Sequence, residues 1–192
     1  MNNHDKRFDP QKRHGLLNRE RQERWNPPRF LQQFALRPGH AVLDLGCGPG
    51  FWTIPLADLV GPAGKVWALD VSQEMLDTLA EQNPPAHVVP VLGELPTIDL
   101  EPSVADFIWV AFVYHEVEGS ELATEMLRVA RPGGQVAILE WRPDAADQSG
   151  PPGDHRIWPD QVKLALQQAG FREITEAWRD ANAYLITTRK GT

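Results

Sequence analysis

The stretch VLDLGCGPGFW, residues 42–52, decides the fold of this chain. Residues 42–45 form an apolar run that only Asp44 interrupts, which is typical of a strand buried on both faces. Glycines at positions 46, 48 and 50 then permit a sharp turn and a close approach of other groups to the main chain. Residues 51–60 carry apolar side chains at helical spacing and end at Gly61-Pro62, so the sequence predicts a strand, a glycine loop and a helix.

A helix that begins at the mouth of a strand presents free N–H groups and a positive dipole end, which suits a carboxylate or a phosphate. The GxGxG spacing is one residue shorter than the dinucleotide fingerprint GxGxxG, and a GxxxxGK[ST] loop is absent. The next predicted strand, KVWALD, ends at Asp70, 24 residues after Gly46, and an acid there can accept hydrogen bonds from a ribose diol. These features predict a nucleoside-containing cofactor without choosing between a nicotinamide cofactor and S-adenosylmethionine.

Composition places the chain among ordinary globular proteins, with 192 residues, 42% hydrophobic and 23% charged. The sequence predicts a polar arm or helix over residues 1–26 and a single domain over residues 27–192. It has no long apolar run, no apolar core in its first residues and one cysteine, so we expect a cytoplasmic protein without a membrane span, a secretory signal or a disulfide framework.

Charge is unevenly distributed along the chain. Residues 1–30 hold eight Lys/Arg and four Asp/Glu, a net +4, whereas the other residues hold eleven and twenty-two, a net −11. A basic arm could contact RNA, but acids interleave with the basic residues, which favours a solvated arm that packs on the domain. The acidic body argues against extensive contact with nucleic acid.

Apolar runs and helical patterns alternate along the rest of the chain, which predicts a parallel, doubly wound α/β sheet. A helix is also expected from Asn26-Pro27-Pro28 to about Leu36. The polar, Pro/Gly-rich residues 142–158 are expected to be a loop at the carboxyl edge of the sheet. Strands are predicted near 41–45, 66–70, 87–92, 105–113, 135–141, 171–178 and 183–188, and helices over 51–60, 73–82 and 159–169.

Four blocks together resemble the class I S-adenosylmethionine-dependent methyltransferases, and within them the small enzymes of the type 11 methyltransferase-domain group. They are VLDLGCGPGFWTIPLA, VWALDVSQEMLDTLA, ADFIWVAFVYHEV and LRVARPGGQVAILEW. The resemblance covers about residues 37–190. It implies a Rossmann-like, mostly parallel seven-stranded sheet of order 3-2-1-4-5-7-6 with an antiparallel C-terminal hairpin. It also implies S-adenosylmethionine as cofactor and S-adenosylhomocysteine as product.

The resemblance assigns cofactor roles to residues that match the family's motifs. The glycine loop would hold the methionine portion, with Asp44 on its ammonium group or bracing the loop, and Asp70 would accept from the ribose hydroxyls. Glu94 matches an acid near the adenine amino group, although that alignment needs a gap. The implied cofactor residues are Asp44, Gly46, Cys47, Gly48, Gly50, Asp70, Val71, Met75, Glu94, Leu95, Ala111 and Phe112.

Methyl transfer from a sulfonium is an in-line displacement, so the protein mainly aligns the acceptor with the methyl group. A general base is needed only when the nucleophile must lose a proton. The candidates are Tyr114, His115 and Glu116, which follow the predicted fourth strand, and Glu140 lies at the end of the fifth. Histidine is the side chain used most often as a general base, and the alternative role for His115 is a residue that only forms hydrogen bonds at the pocket rim. We expect no metal.

Several subclasses of methyltransferase require particular residues that this chain lacks. After the fourth strand this chain reads AFVYHEV. Enzymes that methylate base amino groups have an (N/D)PP(Y/F) tetrad there, and cytosine-C5 methyltransferases have a nucleophilic cysteine. Ubiquinone/menaquinone C-methyltransferases have an NFG-type stretch there, which this chain lacks. Arsenite methylation needs several cysteines. A small-molecule acceptor is therefore favoured. The alternatives are an RNA or protein methyltransferase, an inactive cofactor-binding protein, and an NAD(P)-dependent oxidoreductase, against which the short glycine loop and RPGG argue.

Overall fold

A computed structural model describes residues 8–117, 119–145 and 150–192. The strands form one seven-stranded sheet of order β3-β2-β1-β4-β5-β7-β6, as the resemblance predicts. The strands are β1 (Ala41–Leu45), β2 (Lys65–Asp70), β3 (Val88–Leu92), β4 (Ala105–Ala111), β5 (Ala130–Trp141), β6 (Arg172–Arg179) and β7 (Ala183–Arg189). The α-helices are α1 (Arg19–Trp25), α2 (Pro27–Leu31), α3 (Thr53–Val60), α4 (Gln73–Glu81), α5 (Glu121–Val129) and α6 (Pro159–Ala169). Short 3-10 helices span Pro10–Leu17, Tyr114–Glu116 and Gly153–His155.

The chain divides into two compact units, residues 8–94 and residues 95–192. In the first, β1 pairs in parallel with β2, and β2 pairs in parallel with β3. All five residues of β1 are buried, which explains its continuous apolar run. Because the strands are parallel, the ends of β1, β2 and β3 lie at one edge of this unit, and the glycine loop follows β1 at that edge.

In the second unit, β4 pairs in parallel with β5, and β5 pairs antiparallel with β7. Strand β6 pairs antiparallel with β7 and completes the predicted C-terminal hairpin. Helix α5 buries an apolar face at Leu122, Ala123, Met126 and Val129, and α6 buries Val162 and Leu166. The hydrophobic effect of these faces stabilises the unit.

Three boundaries differ from the sequence-based expectation. Strand β5 begins at Ala130, not near residue 135, because Ala130 pairs with Ala105 before a register shift admits the RPGG segment. Helix α2 ends at Leu31 and a turn follows it, so the helix expected to reach Leu36 is shorter. Strand β4 ends at Ala111 and not near residue 113, because Phe112 has a left-handed φ of 62°.

Candidate functional site

The glycine loop lies between β1 and α3, and its backbone requires glycine. Gly46, Gly48 and Gly50 have φ angles of 66°, 54° and 94°, all in the left-handed region that side chains rarely adopt. A Cβ on Gly50 would also lie 2.4 Å from Leu79 Cδ1. The N–H of Cys47 donates to Leu69 O at 2.9 Å, which ties the loop to the neighbouring strand.

Asp70, the last residue of β2, braces this loop from the side. Its Oδ2 accepts from the Gly48 N–H at 2.8 Å, and its Oδ1 accepts from the Ser72 N–H at 2.9 Å. Burial raises the pKa of this carboxyl, against the lowering effect of the backbone hydrogen bonds. An ionised carboxylate has about four lone-pair positions, so it can accept further donors such as ribose hydroxyls.

Asp44 lies on β1 just before the loop and is 1% exposed. Its Oδ2 accepts from Thr53 Oγ1 at 2.6 Å, and Thr53 is the first residue of α3. Burial raises the pKa of Asp44 to about 7; the Thr53 hydrogen bond opposes this rise and the charge of Asp70 adds to it. Burial therefore makes ionisation of both carboxyl groups, Asp44 and Asp70, more costly. A ligand that is cationic or donates hydrogen bonds would stabilise their ionised forms.

The remaining cofactor candidates of the first unit differ in exposure. The Cys47 thiol is buried, and burial holds its pKa well above the usual range, so it is a protonated packing group. Met75 is 4% exposed in α4, whereas Val71 is 42% exposed directly after Asp70. Glu94 is exposed beyond the end of β3. An apolar surface next to Asp70 is therefore supplied by Val71, and Met75 belongs to the core.

In the second unit, a backbone turn after β4 redirects the chain. Ala111 ends β4, and Phe112 follows with a φ of 62° while its N–H donates to Leu139 O at 2.8 Å. The Phe112 ring stacks on Trp141 with centroids 4.5 Å apart. This turn leads into the 3-10 helix Tyr114–Glu116, which brings His115 to the end of β5.

His115 and Glu140 form a buried pair, with 6% and 0% of their surface exposed. His115 Nδ1 lies 3.1 Å from Glu140 Oε1 and 3.0 Å from Oε2. The same carboxylate accepts from the N–H of His115 at 3.2 Å and from that of Trp141 at 3.1 Å. The sequence indicates both residues but does not pair them. The one acid in the apolar run AILEW, Glu140, could have indicated a buried partner.

Tyr114, next to His115 in the sequence, is 1% exposed. Among the residues that the structure describes, its hydroxyl has no hydrogen-bond partner, and burial raises its pKa to about 12. Tyr184, opposite Glu140 on β7, donates its hydroxyl to Ile157 O at 2.8 Å. Burial, and then the negative charge of Glu140, raises the pKa of Tyr184. Both phenols therefore stay protonated at neutral pH, and Tyr114 is a donor awaiting an acceptor.

Four of the tryptophans divide between core and surface. Trp25, Trp52 and Trp109 are buried. Trp158 is 49% exposed and lines a cavity of about 400 Å³ together with Arg142, Pro143, Asp144, Pro159, Asp160 and Arg179. This cavity contains part of the 142–158 loop; residues 146–149 of that loop lie outside the described residues.

Within residues 8–117, 119–145 and 150–192, no group of three or more His, Cys, Asp or Glu side chains is arranged to hold a metal ion. In those same ranges no helix is both long enough and apolar enough to cross a membrane.

Comparison with known proteins identifies the family. A family model described as "Methyltransferase domain" matches residues 42–134. The crystal structure of a SAM-dependent methyltransferase from Aquifex aeolicus is 31% identical, with a TM-score of 0.86, and the match covers 96% of this chain and 100% of that one. Human N-acetylserotonin methyltransferase in complex with SAM, at 23% identity and a TM-score of 0.71 over 96% of this chain and 57% of that one, shares the fold.

Demethylmenaquinone methyltransferase of Staphylococcus aureus is 31% identical over 140 residues, which are 72% of this chain and 57% of that protein. The chain thus spans little more than half the length of the curated relatives that it matches. The Aquifex structure, in contrast, is matched over its whole length. The chain therefore belongs to the S-adenosylmethionine-dependent methyltransferases, as the four sequence blocks predict.

Proposed function

We propose that this chain transfers a methyl group from S-adenosylmethionine to a small-molecule acceptor whose nucleophile carries an acidic proton, such as the hydroxyl of a phenol or of a reduced quinone. The observation that carries the proposal is the buried His115–Glu140 pair. A carboxylate that orients a histidine ring is the arrangement used for general-base catalysis on unrelated folds.

The protonation states follow from the hydrogen bonds. Glu140 accepts from two backbone N–H groups as well as facing the ring, so its oxygens act as acceptors, as in an ionised carboxylate. His115 Nδ1 must then carry the proton that it donates to Glu140. In a neutral imidazole this leaves the Nε2 lone pair to take a proton. The negative charge of Glu140 stabilises the imidazolium that results.

The cofactor, when bound, supplies a methyl carbon that is activated by a sulfonium leaving group. His115 would take the proton of the acceptor and so leave on the acceptor atom the electron pair that methyl transfer requires. Amines attack as neutral lone pairs and need no base before transfer. The dyad therefore favours a protic oxygen or carbon acid over an amine as the acceptor.

For the cofactor we propose the residues that the resemblance assigns, since their geometry fits. The left-handed backbone at Gly46 and Gly48 has no Cβ to hinder a ligand, and Asp70 can accept from a ribose diol while bracing the loop. Asp44 would hold the ammonium group, and Val71 would contact the adenine. Weaker members of the set are Cys47, Gly50, Met75, Glu94, Leu95, Ala111 and Phe112.

Tyr114 is proposed as a hydrogen-bond donor to the acceptor, because its buried hydroxyl is unpaired in the described part of the chain. A catalytic role for Glu116, in the same 3-10 helix, stays a prediction. The demethylmenaquinone methyltransferase relative supports a hydroxylated ring as acceptor, since its name denotes methylation of a quinone-type compound. The chain lacks the NFG-type stretch, so we propose a phenol or quinol class and no particular compound.

A panel assay tests the proposal. The protein is incubated with labelled S-adenosylmethionine and single members of four acceptor classes: hydroxyarenes, reduced quinones, primary amines and thiols. We expect methylated product and S-adenosylhomocysteine with a hydroxyarene or quinol, and at least tenfold slower turnover with amines. The Glu140→Gln variant should lose turnover with the protic acceptors, and Glu173→Gln, an exposed glutamate of β6, is the matched control. A clear preference for amines that Glu140→Gln leaves unchanged would contradict the proposal.

A further inference from the structure

The N-terminal segment, residues 8–25, contacts the glycine loop within the first unit. Leu16 Cδ1 lies 3.7 Å from the position of a Cβ built on Gly48, an ordinary van der Waals distance. Leu16 is only partly buried. Gly48 is the loop residue whose N–H binds Asp70, so Leu16 lies over the centre of the loop.

A second contact attaches the same segment to the helix that follows Asp70. Arg13 Nε donates to Thr78 Oγ1 at 3.1 Å, and its guanidinium also lies 3.5 Å from Glu74 Oε2. Both partners belong to α4. The Thr78 side chain is buried, and its hydroxyl donates in turn to Glu74 O at 2.9 Å. Arg13 therefore fixes the position of the 3-10 helix that carries Leu16.

A third contact lies where the loop ends. The Arg21 guanidinium lies over the Phe51 ring, 4.9 Å from its centroid, and Phe51 follows Gly50 directly. Burial and the charge of Arg24 lower the pKa of Arg21 to about 10, so it remains a cation at neutral pH. The segment thus contacts α4 through Arg13, then Gly48 through Leu16, and then Phe51 through Arg21.

We propose that Leu16 is a cofactor-contacting residue and that residues 8–25 form a cover over the amino-acid end of S-adenosylmethionine. Arg13 is the positioning residue that holds Leu16 in place. The inference rests on the proposed placement of the cofactor on Gly46 and Gly48. An apolar side chain at this point excludes water from the polar loop when the cofactor is bound, which strengthens the interactions of Asp44 and Asp70.

The attachments are weak enough for the cover to open. The Arg13–Glu74 pair has an exposed carboxylate, with 61% of its side chain accessible, and pairs at such exposed sites contribute little to stability. Trp25, at the end of the segment, is buried and stays in place. Exchange of cofactor and product can therefore proceed by local opening of the turns that carry Arg13 and Leu16, without unfolding of the sheet.

The test compares S-adenosylhomocysteine dissociation from wild type, Leu16→Ala, Arg13→Gln and Lys12→Gln. Lys12 is the matched control because it lies in the same 3-10 helix with 75% of its side chain exposed. Stopped-flow displacement gives the dissociation rate and calorimetry gives Kd. We expect Leu16→Ala and Arg13→Gln each to dissociate about five- to tenfold faster, from the partial loss of one buried aliphatic contact. Lys12→Gln should stay within twofold, with no change of Tm in any variant beyond that of the control.

The double variant Arg13→Gln/Leu16→Ala separates positioning from general destabilisation. If Arg13 acts through Leu16, the double variant dissociates no faster than Leu16→Ala alone. Additive effects would overturn the role given to Arg13. Unchanged or tighter binding by Leu16→Ala, in a protein whose binding is still lost in Asp70→Asn, would overturn the cover while leaving the cofactor site intact. Failure of the wild type to bind S-adenosylhomocysteine would contradict the proposed cofactor placement itself.

Discussion

Replacing Asp70 with asparagine should abolish most of the affinity for S-adenosylhomocysteine. In the wild type the carboxylate accepts from the Gly48 and Ser72 N–H groups at 2.8 and 2.9 Å and keeps further lone pairs for the ribose. An amide has one oxygen, so its NH₂ group must face one of these two donors or the ribose. A hydrogen bond to a charged acceptor contributes about 1.5–3 kcal/mol.

The expected loss combines two such terms. One ribose hydroxyl loses its acceptor, and the other keeps a neutral, weaker bond. The total is about 3 kcal/mol, or roughly a 150-fold rise in Kd. The Gly48 N–H also loses its charged acceptor, which weakens the loop and lowers affinity further. The roughly 150-fold rise in Kd is therefore a lower bound.

Titration calorimetry with S-adenosylhomocysteine measures the effect without knowledge of the acceptor. Asp58→Asn is the matched control, since Asp58 is exposed on α3 in the same unit. Its Kd should equal that of the wild type. Far-UV circular dichroism and Tm establish that Asp70→Asn remains folded. A Kd within threefold of the wild type in a folded Asp70→Asn protein would refute the assignment of Asp70 to the ribose.

Three further predictions concern the same elements. Burial raises the pKa of folded-state Asp44 to about 7 from an ordinary 3.8, so the stability of the wild type falls as pH rises from about 4 to about 7. In urea denaturation, the free energy of unfolding of Asp44→Asn should gain about 3 kcal/mol relative to the wild type between pH 5 and pH 8. Parallel pH profiles of the two proteins would contradict this. Tyr114→Phe removes a buried hydroxyl that is unpaired within the described chain and should raise the free energy of unfolding by about 1–2 kcal/mol while slowing methyl transfer; a lower Tm would refute it. Gly50→Ala should destabilise the fold by about 1 kcal/mol or more beyond Gly39→Ala, because both have positive φ but only Gly50 faces Leu79 at 2.4 Å; equal Tm losses would argue against that contact.

Local pattern was sufficient for the elements around the glycine loop. The run from Val42 to Leu45, the helix over Thr53–Val60 and the acid at Asp70 each carry their structure in short-range spacing, and the structure places them as predicted. Helix α6, Pro159–Ala169, was likewise predicted at its observed bounds, because proline at its first position and Gly170 after its end mark both limits.

The features that sequence missed depend on contacts between distant residues. His115 and Glu140 are 25 positions apart, and their pairing needs both the parallel register of β4 with β5 and the left-handed turn at Phe112. Neither the strand register nor this turn can be read from the spacing of apolar residues in a short stretch of sequence. The fifth strand was predicted near residues 135–141, after RPGG, whereas pairing of Ala130 with Ala105 extends β5 through these residues. Tertiary pairing overrides local propensity here.

The N-terminal residues illustrate the same limit. Interleaved acids and bases favoured a solvated arm on the domain, and packing on the domain is what the structure has. The pattern did not reveal which residues make the contact, because Arg13 and Leu16 are anchored by groups on α4 and the loop that lie far away in sequence. The boundary predicted at residue 26 stays a prediction.

The most direct test of the proposed chemistry is the single-turnover rate of methyl transfer by His115→Gln, with a protic acceptor from the panel and saturating labelled S-adenosylmethionine. Glutamine keeps a hydrogen bond to Glu140 but cannot take the proton. A general base contributes about 10²–10⁴-fold, so the account predicts transfer at least 100-fold slower than in the wild type, with unchanged Kd for S-adenosylhomocysteine. A rate within threefold of the wild type would contradict His115 as the base.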